Sequence, residues 1–219
     1  IPEFWALQYL SSAKTSIIYA LTPFLAALFA YLLQGAVLGW QKFAAMGIAV
    51  VGLLPLLGAP GASVSSMLQV SVPEVVLLGA VASACYAWFV ITDLMVAGFS
   101  LLVINGIAFF VGGLLSVPTF LVVEGAAWQQ VTDWPAFVAW LSVLIVMAHG
   151  ISYNLYGWLL MRYSIPFMTL CGFLCPLMST FFGACFLGEQ ITWHYCVSLV
   201  GITAGLLLFA HADGVFNRK

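Results

Sequence analysis

Long apolar runs, broken by short clusters of glycine, proline and a few polar residues, set the plan of this 219-residue chain. A helix needs about 20 apolar residues to cross the roughly 30 Å hydrocarbon core of a bilayer. Runs of that order cover Thr15–Leu33, Gln41–Leu57, Pro73–Val96, Leu101–Val123, Pro135–Leu160, Pro166–Leu187 and Ile191–Ala210. Ile1–Leu10 reads as the tail of a further span. The breaks carry turn chemistry: Gly35 to Gly39, Gly58 to Gly61, Gly98 to Ser100 and Gly125 to Trp134. Proline opens three of the spans, at Pro73, Pro135 and Pro166, where its missing N–H costs nothing. The runs are continuous rather than alternating, which argues against a membrane β-barrel. The pattern predicts an all-α integral membrane protein, a helical bundle of about seven complete spans plus one partial.

Composition agrees with lipid as the solvent. Of the residues 64% are hydrophobic and 5% charged, with mean hydropathy +1.16. A soluble domain carries about 25% charged residues, so this chain lacks the charge to clothe a water-facing surface. The net charge of −2 excludes a nucleic-acid role, since no basic stripe is present to neutralise phosphates. No P-loop, no metal-ligand spacing and no G-x-S-x-G elbow is found, so no cofactor, metal residue or catalytic residue is expected. Cys85, Cys171, Cys175, Cys185 and Cys196 all sit in apolar runs and read as packing groups. The chain opens at Ile1 without a basic region ahead of an apolar stretch, so the expectation is a start inside a longer protein. By the positive-inside rule Lys42, Arg162, Arg218 and Lys219 belong on the cytoplasmic side, and Lys14 falls outside with Glu74, Glu124, Asp133 and Glu189.

The chain also resembles itself. Tyr9 and Tyr163 are 154 residues apart, as are Gly47 and Gly201; between these anchors each copy has a span containing proline, at Pro23 or Pro176. Five spans separate the copies, an odd number, so they are expected to lie upside down relative to each other. Inverted repeats are a transporter architecture with the substrate site near the midplane. At Trp5-Ala6-Leu7-Gln8-Tyr9 through Ser16, Leu21-Thr22-Pro23, Tyr163-Ser164, Pro176 and Leu187-Gly188-Glu189 the sequence resembles the EamA-like branch of the drug/metabolite transporter superfamily. It departs at Gln34-Gly35, where the family pattern has a glutamate. The resemblance implies ten helices in two five-helix halves in the full protein. On that plan 1–58 end the first repeat, 59–72 form an external loop, 73–210 are the second repeat and 211–219 a cytoplasmic tail.

Hydrogen-bonding side chains inside apolar spans are the candidate substrate-binding residues, because an ionisable or polar group in the membrane is a functional hypothesis by default. His149 lies mid-span, with Tyr153 one turn on; it lines a cavity or, in the plainer reading, bonds a neighbouring helix. Glu3 either attracts a cation from a cavity or reaches interfacial water. Tyr19 shares a face with Thr15 and Thr22 just before Pro23, and the resemblance implies that this helix lines the central cavity; interhelical bonding is the alternative. Tyr86 suits an aromatic cavity wall, whereas Asp93 reads as an interfacial carboxylate and Asn105 as a helix–helix bond. Gly201 and Gly205, with Gly47 and Gly52, read as close-packing positions.

Three functions compete: a secondary transporter, a polytopic membrane enzyme acting on lipids, and a non-transporting assembly subunit. An enzyme needs clustered catalytic groups, yet Asp93 and Glu189 stand alone on opposite faces. An assembly subunit has no use for tyrosines and His149 within its spans. The reading is a non-enzymatic, multi-pass protein of a bacterial inner membrane. It moves a small organic metabolite by alternating access, its partners being that substrate and the lipid bilayer. The resemblance implies cargo such as amino acids, nucleosides or nucleotides, or cofactor-like molecules of the S-adenosylmethionine type.

Overall fold

A computed structural model describes residues 2–10, 12–57, 71–123, 132–187 and 193–215. Within them the chain forms α1 (Pro2–Leu7), α2 (Ser12–Ala20), α3 (Thr22–Gln34), α4 (Trp40–Leu57), α5 (Val72–Val96) and α6 (Leu101–Val123). There follow α7 (Trp134–Leu144), a π-helical stretch (Ile145–Ser152), α8 (Tyr153–Leu160), α9 (Ile165–Cys171), α10 (Leu174–Leu187) and α11 (Trp193–Ala212). No strand occurs among the described residues. Among the described residues six spans are long and apolar enough to cross a membrane: Lys14–Gln34, Val72–Val96, Leu101–Pro118, Trp134–Leu160, Ile165–Phe186 and Trp193–Ala212. A shorter apolar helix covers Trp40–Pro55. Helix is the consequence of lipid, in which every backbone N–H and C=O must be satisfied within the segment. The protein is therefore an all-α, multi-span membrane protein. The loop positions 61–70 and 124–131, together with Trp128, Glu189, Arg218 and Lys219, lie outside the described residues.

Two spans are broken ahead of a proline. The first divides at Leu21 into α2 and α3, the second at Gly172 and Phe173 into α9 and α10. Pro23 has no N–H to offer the carbonyl of Tyr19, four residues earlier. The Thr22 hydroxyl donates to that carbonyl instead, at 2.5 Å. Helix α3 ends at Gly35, whose φ of 65° is the left-handed conformation that glycine adopts without penalty. Its N–H reaches the Tyr31 carbonyl, the five-to-one bond of a left-handed cap, and the N–H of Ala36 reaches the Ala30 carbonyl.

The structure divides into two compact units, Ile1–Phe89 with Tyr163–Lys219, and Val90–Arg162. The first holds the main core: Ala45, Met46, Ala49 and Leu53 of α4 pack with Ile202 and Phe209 of α11, and with Leu170, Phe173 and Leu177. Helices α4 and α11 run antiparallel, since Lys42 at the start of α4 pairs with Asp213 just past the end of α11. Where they cross, a Cβ built on Gly201 falls 2.6 Å from the Gly52 Cα, and one on Gly205 falls 2.7 Å from the Ala49 Cβ. Gly52, Gly201 and Gly205 thus make the close contact expected of them. Gly47 does not: a Cβ there meets nothing within 4 Å, because its position on α4 faces away from α11.

Each end of this unit carries a cross-helix ion pair. Lys14 binds Glu74 at 2.5 Å, which gives the basic residue expected to be misplaced a partner on the side assigned to both. At the other end Lys42 binds Asp213 at 2.6 Å, and Ser164 Oγ donates to the same carboxylate at 2.9 Å. The Asp213 side chain is 4% exposed, so this charge is held by its partners rather than by water. In the second unit α6 packs on α8, where Leu101 covers Gly157, and Asn105 Nδ2 donates to Asn154 Oδ1 at 3.2 Å. That bond is the helix–helix contact expected of Asn105.

Candidate functional site

The six expected site residues fall into local groups. In the first unit, the Tyr19 hydroxyl on α2 donates to the Glu3 carboxylate on α1. Glu3 is thereby given a polar partner inside an apolar span, and the pair joins two short helices. Thr15, one turn before Tyr19 on the same helix, is half-buried. Tyr86 on α5 is 47% exposed and stands edge-on to Phe29, with ring centroids 6.0 Å apart. Phe29 also meets Phe89 at 6.4 Å, so Tyr86 belongs to an aromatic seam between α3 and α5.

The second unit brings His149 and Tyr153 together. Their rings lie nearly parallel, 12° apart, with centroids at 5.5 Å. Phe109 on α6 stands edge-on to both, at 4.7 Å from His149 and 5.3 Å from Tyr153. The structure widens the span expected at Pro135–Leu160 into a π-turn over Ile145–Ser152. Such turns carry one extra residue and occur frequently at functional sites. Side chains of the segment and of the start of α8 occupy its carbonyls. Ser152 Oγ donates to Met147 O at 2.9 Å, and Asn154 Nδ2 donates to Gly150 O at 2.8 Å and His149 O at 3.2 Å.

A cavity of about 430 Å³ opens beside His149, lined by Ala108, Phe109, Gly112, Gly113, Ile145 and His149. Phe109, Gly112, Gly113 and Asn154 were not among the residues singled out by sequence. The adjacent glycines within an apolar span and the Gly150-x-Ser152-x-Asn154 pattern were the available signals. No group of three or more His, Cys, Asp or Glu side chains suited to a metal ion occurs among the described residues. The candidate groups are thus ring faces, hydroxyls and one carboxylate in the first unit, and two aromatic rings and one imidazole in the second.

Comparison with known proteins shows the family. The model of the EamA-like transporter family matches residues 3–58 and 74–210. A Chlamydia muridarum S-adenosylmethionine/S-adenosylhomocysteine transporter is 32% identical over 215 residues, which cover 96% of this chain and 68% of the relative. A transporter of the same name from Chlamydia trachomatis serovar L2 is 31% identical over 217 residues, covering 96% of this chain and 66% of the relative. The chain thus spans about two thirds of the length of these relatives. A solved crystal structure matches with a TM-score of 0.72 at 18% identity, over 99% of this chain and 73% of the solved one, a likeness of fold alone. With its apolar spans and a family match over most of its length, this chain belongs to the EamA-like transporter family, as a multi-pass membrane protein of a transporter lineage and not an enzyme.

Proposed function

We propose that this protein is a secondary transporter of S-adenosylmethionine-type metabolites in a bacterial inner membrane, working by alternating access. The observation that carries the reading is the 32% identity over 96% of the chain to a transporter of S-adenosylmethionine and S-adenosylhomocysteine. The two repeats, 1–58 and 73–210, are inverted copies that rock against each other. The antiparallel α4 and α11, which occupy equivalent places in the two copies, support this, as do the matching breaks before Pro23 and Pro176.

Glu3, Thr15, Tyr19, Tyr86, His149 and Tyr153 are the substrate-binding set. S-adenosylmethionine carries a fixed sulfonium charge, an amino-acid head and a purine. A carboxylate such as Glu3 and the faces of tyrosines suit a cation, by charge and by cation–π attraction. The hydroxyl that Tyr19 donates to Glu3 keeps that carboxylate oriented. A purely structural subunit has no need of these groups, whose burial in lipid without a partner costs several kcal/mol each.

Counterflow in proteoliposomes tests the reading. Vesicles loaded with unlabelled S-adenosylhomocysteine are expected to accumulate labelled S-adenosylmethionine transiently, and protein-free vesicles are not. Equal uptake by both, or uptake unaffected by the internal load, refutes it.

A further inference from the structure

We propose that the Lys14–Glu74 ion pair is a gate, closed in this structure, at one end of the path to the Glu3–Tyr19 part of the site. This rests on the transport reading, in which α2 and α5 belong to different repeats and must part once in each cycle. Lys14–Gln34 is one span, and Lys42 follows it across the short turn 35–39. Lys14 and Lys42 therefore sit at opposite ends of the unit, and so do their ion pairs. Tyr19 lies further along α2, about 7.5 Å down the axis from Lys14 at 1.5 Å per residue, so the pair is nearer the end of the span than the Tyr19–Glu3 bond. Ala6 of α1, Ile18 of α2, and Leu77 and Val81 of α5 make one small core below the pair. Glu3 stands one turn from Ala6 on α1, and Tyr19 next to Ile18 on α2. Parting α2 from α5 opens this core and, with it, a way to the carboxylate.

The two ends are built differently. Glu74 is held from its own helix: Ser71, the residue before α5, donates to Glu74 Oε2 from its backbone N–H, at 2.9 Å, and from its hydroxyl. Lys14 takes the other oxygen, Oε1. When Lys14 lets go, the carboxylate keeps its bonds at a helix N-terminus, where negative charge is favoured, and water replaces the ammonium. The Lys14 and Glu74 side chains are 20% and 12% exposed, so water already reaches both. At the other end Asp213 is 4% exposed and bonds Lys42 and Ser164. The helices behind that pair, α4 and α11, meet backbone to backbone at Gly52 and Gly201. Parting them would leave a carboxylate without its cation and out of water, which is costly. The first pair is made to open, the second to stay shut.

Labelling of a buried thiol reads the gate. Ile18→Cys lies one turn below Lys14, on the face packed against Leu77 and Val81. A water-soluble maleimide is applied to the full chain in lipid nanodiscs, with protein lacking Ile18→Cys as the blank for the native cysteines. Adding Glu74→Gln, which keeps an oxygen for Ser71 and loses the charge, is expected to speed labelling about fivefold. Lys14→Met is expected to match it, and the two together to do no more than either. Lys42→Ala, which breaks the other pair, is expected to leave the rate unchanged. The gate is overturned if neither substitution at the pair speeds labelling. It is overturned equally if Lys42→Ala speeds it as much, because that is general loosening and not an opening at one end. A second arm holds if Ile18→Cys fails to fold. Lys14→Cys/Glu74→Cys is joined by a short bifunctional thiosulfonate and assayed for S-adenosylmethionine counterflow. Flux is expected to stop and to return on reduction, while each single-cysteine variant treated alike keeps its rate. Thiols that cannot be joined, or full flux through joined protein, also overturn the gate. If wild type shows no counterflow but labelling follows the expected order, the transport reading falls and the opening contact stands.

Discussion

Replacing Gly201 by alanine tests the packing on which the first unit is built. The new Cβ falls 2.6 Å from the Gly52 Cα, whereas ordinary contacts lie at 3.4–4 Å. The obstacle is backbone, so no rotamer change relieves it. Helices α4 and α11 must separate by about 1 Å, and contacts on either side of the crossing lengthen with them. Overpacking of this kind costs about 1–3 kcal/mol. For a chain of 150–250 residues each kcal/mol lowers the melting temperature by about 2–4 °C, so a fall of roughly 2–12 °C is expected. Gly52→Ala is expected to match it, since its Cβ falls 2.7 Å from the Gly201 carbonyl carbon. Gly47→Ala is the control on the same helix: with nothing within 4 Å of its Cβ, it is expected to be neutral or slightly stabilising, because alanine favours helix. Thermal unfolding of purified protein in one detergent, followed by circular dichroism or thiol reactivity, gives all three values. Melting of Gly201→Ala at the wild-type temperature, or an equal loss in Gly47→Ala, refutes the reasoning.

Lys42→Ala strips the buried Asp213 carboxylate of its cation and is expected to destabilise by about 1–3 kcal/mol. The loss in Lys42→Ala/Asp213→Asn is expected to fall short of the sum of the single losses, and strict additivity in melting experiments contradicts the pair. Asn105→Leu removes the bond to Asn154 and is expected to cost about 0.6 kcal/mol, the average found for interhelical bonds in bacteriorhodopsin. A loss above about 2 kcal/mol in denaturant titration shows that more than this bond is at stake. Tyr19→Phe and Glu3→Gln are expected to lower S-adenosylmethionine flux about tenfold or more with little change in melting temperature, the equivalent of about 1.4 kcal/mol at the site. Normal flux in both removes these two residues from the substrate set.

Hydrophobic run length is a local property, and lipid converts it directly into helix. For that reason the spans from Thr15–Leu33 to Ile191–Ala210 were legible in the chain, with turns at Gly35 and Gly98, whereas the breaks ahead of Pro23 and Pro176 emerged only in the structure. Polar residues stand out against such a background, so Glu3, Tyr19, Tyr86 and His149 could be picked out as single positions. Their neighbours could not. A helix that is apolar on every side has no periodicity to show which face meets protein and which meets lipid. Helix rotation and register alone decided that Gly52, and not Gly47, meets Gly201, and that Lys14 and Lys42 find partners 60 and 171 residues away. The π-turn depends on one extra residue accommodated by Ser152 and Asn154, which α-periodicity does not anticipate. The recess between Phe109 and His149 is lined by residues of two different spans, a juxtaposition that exists only in three dimensions.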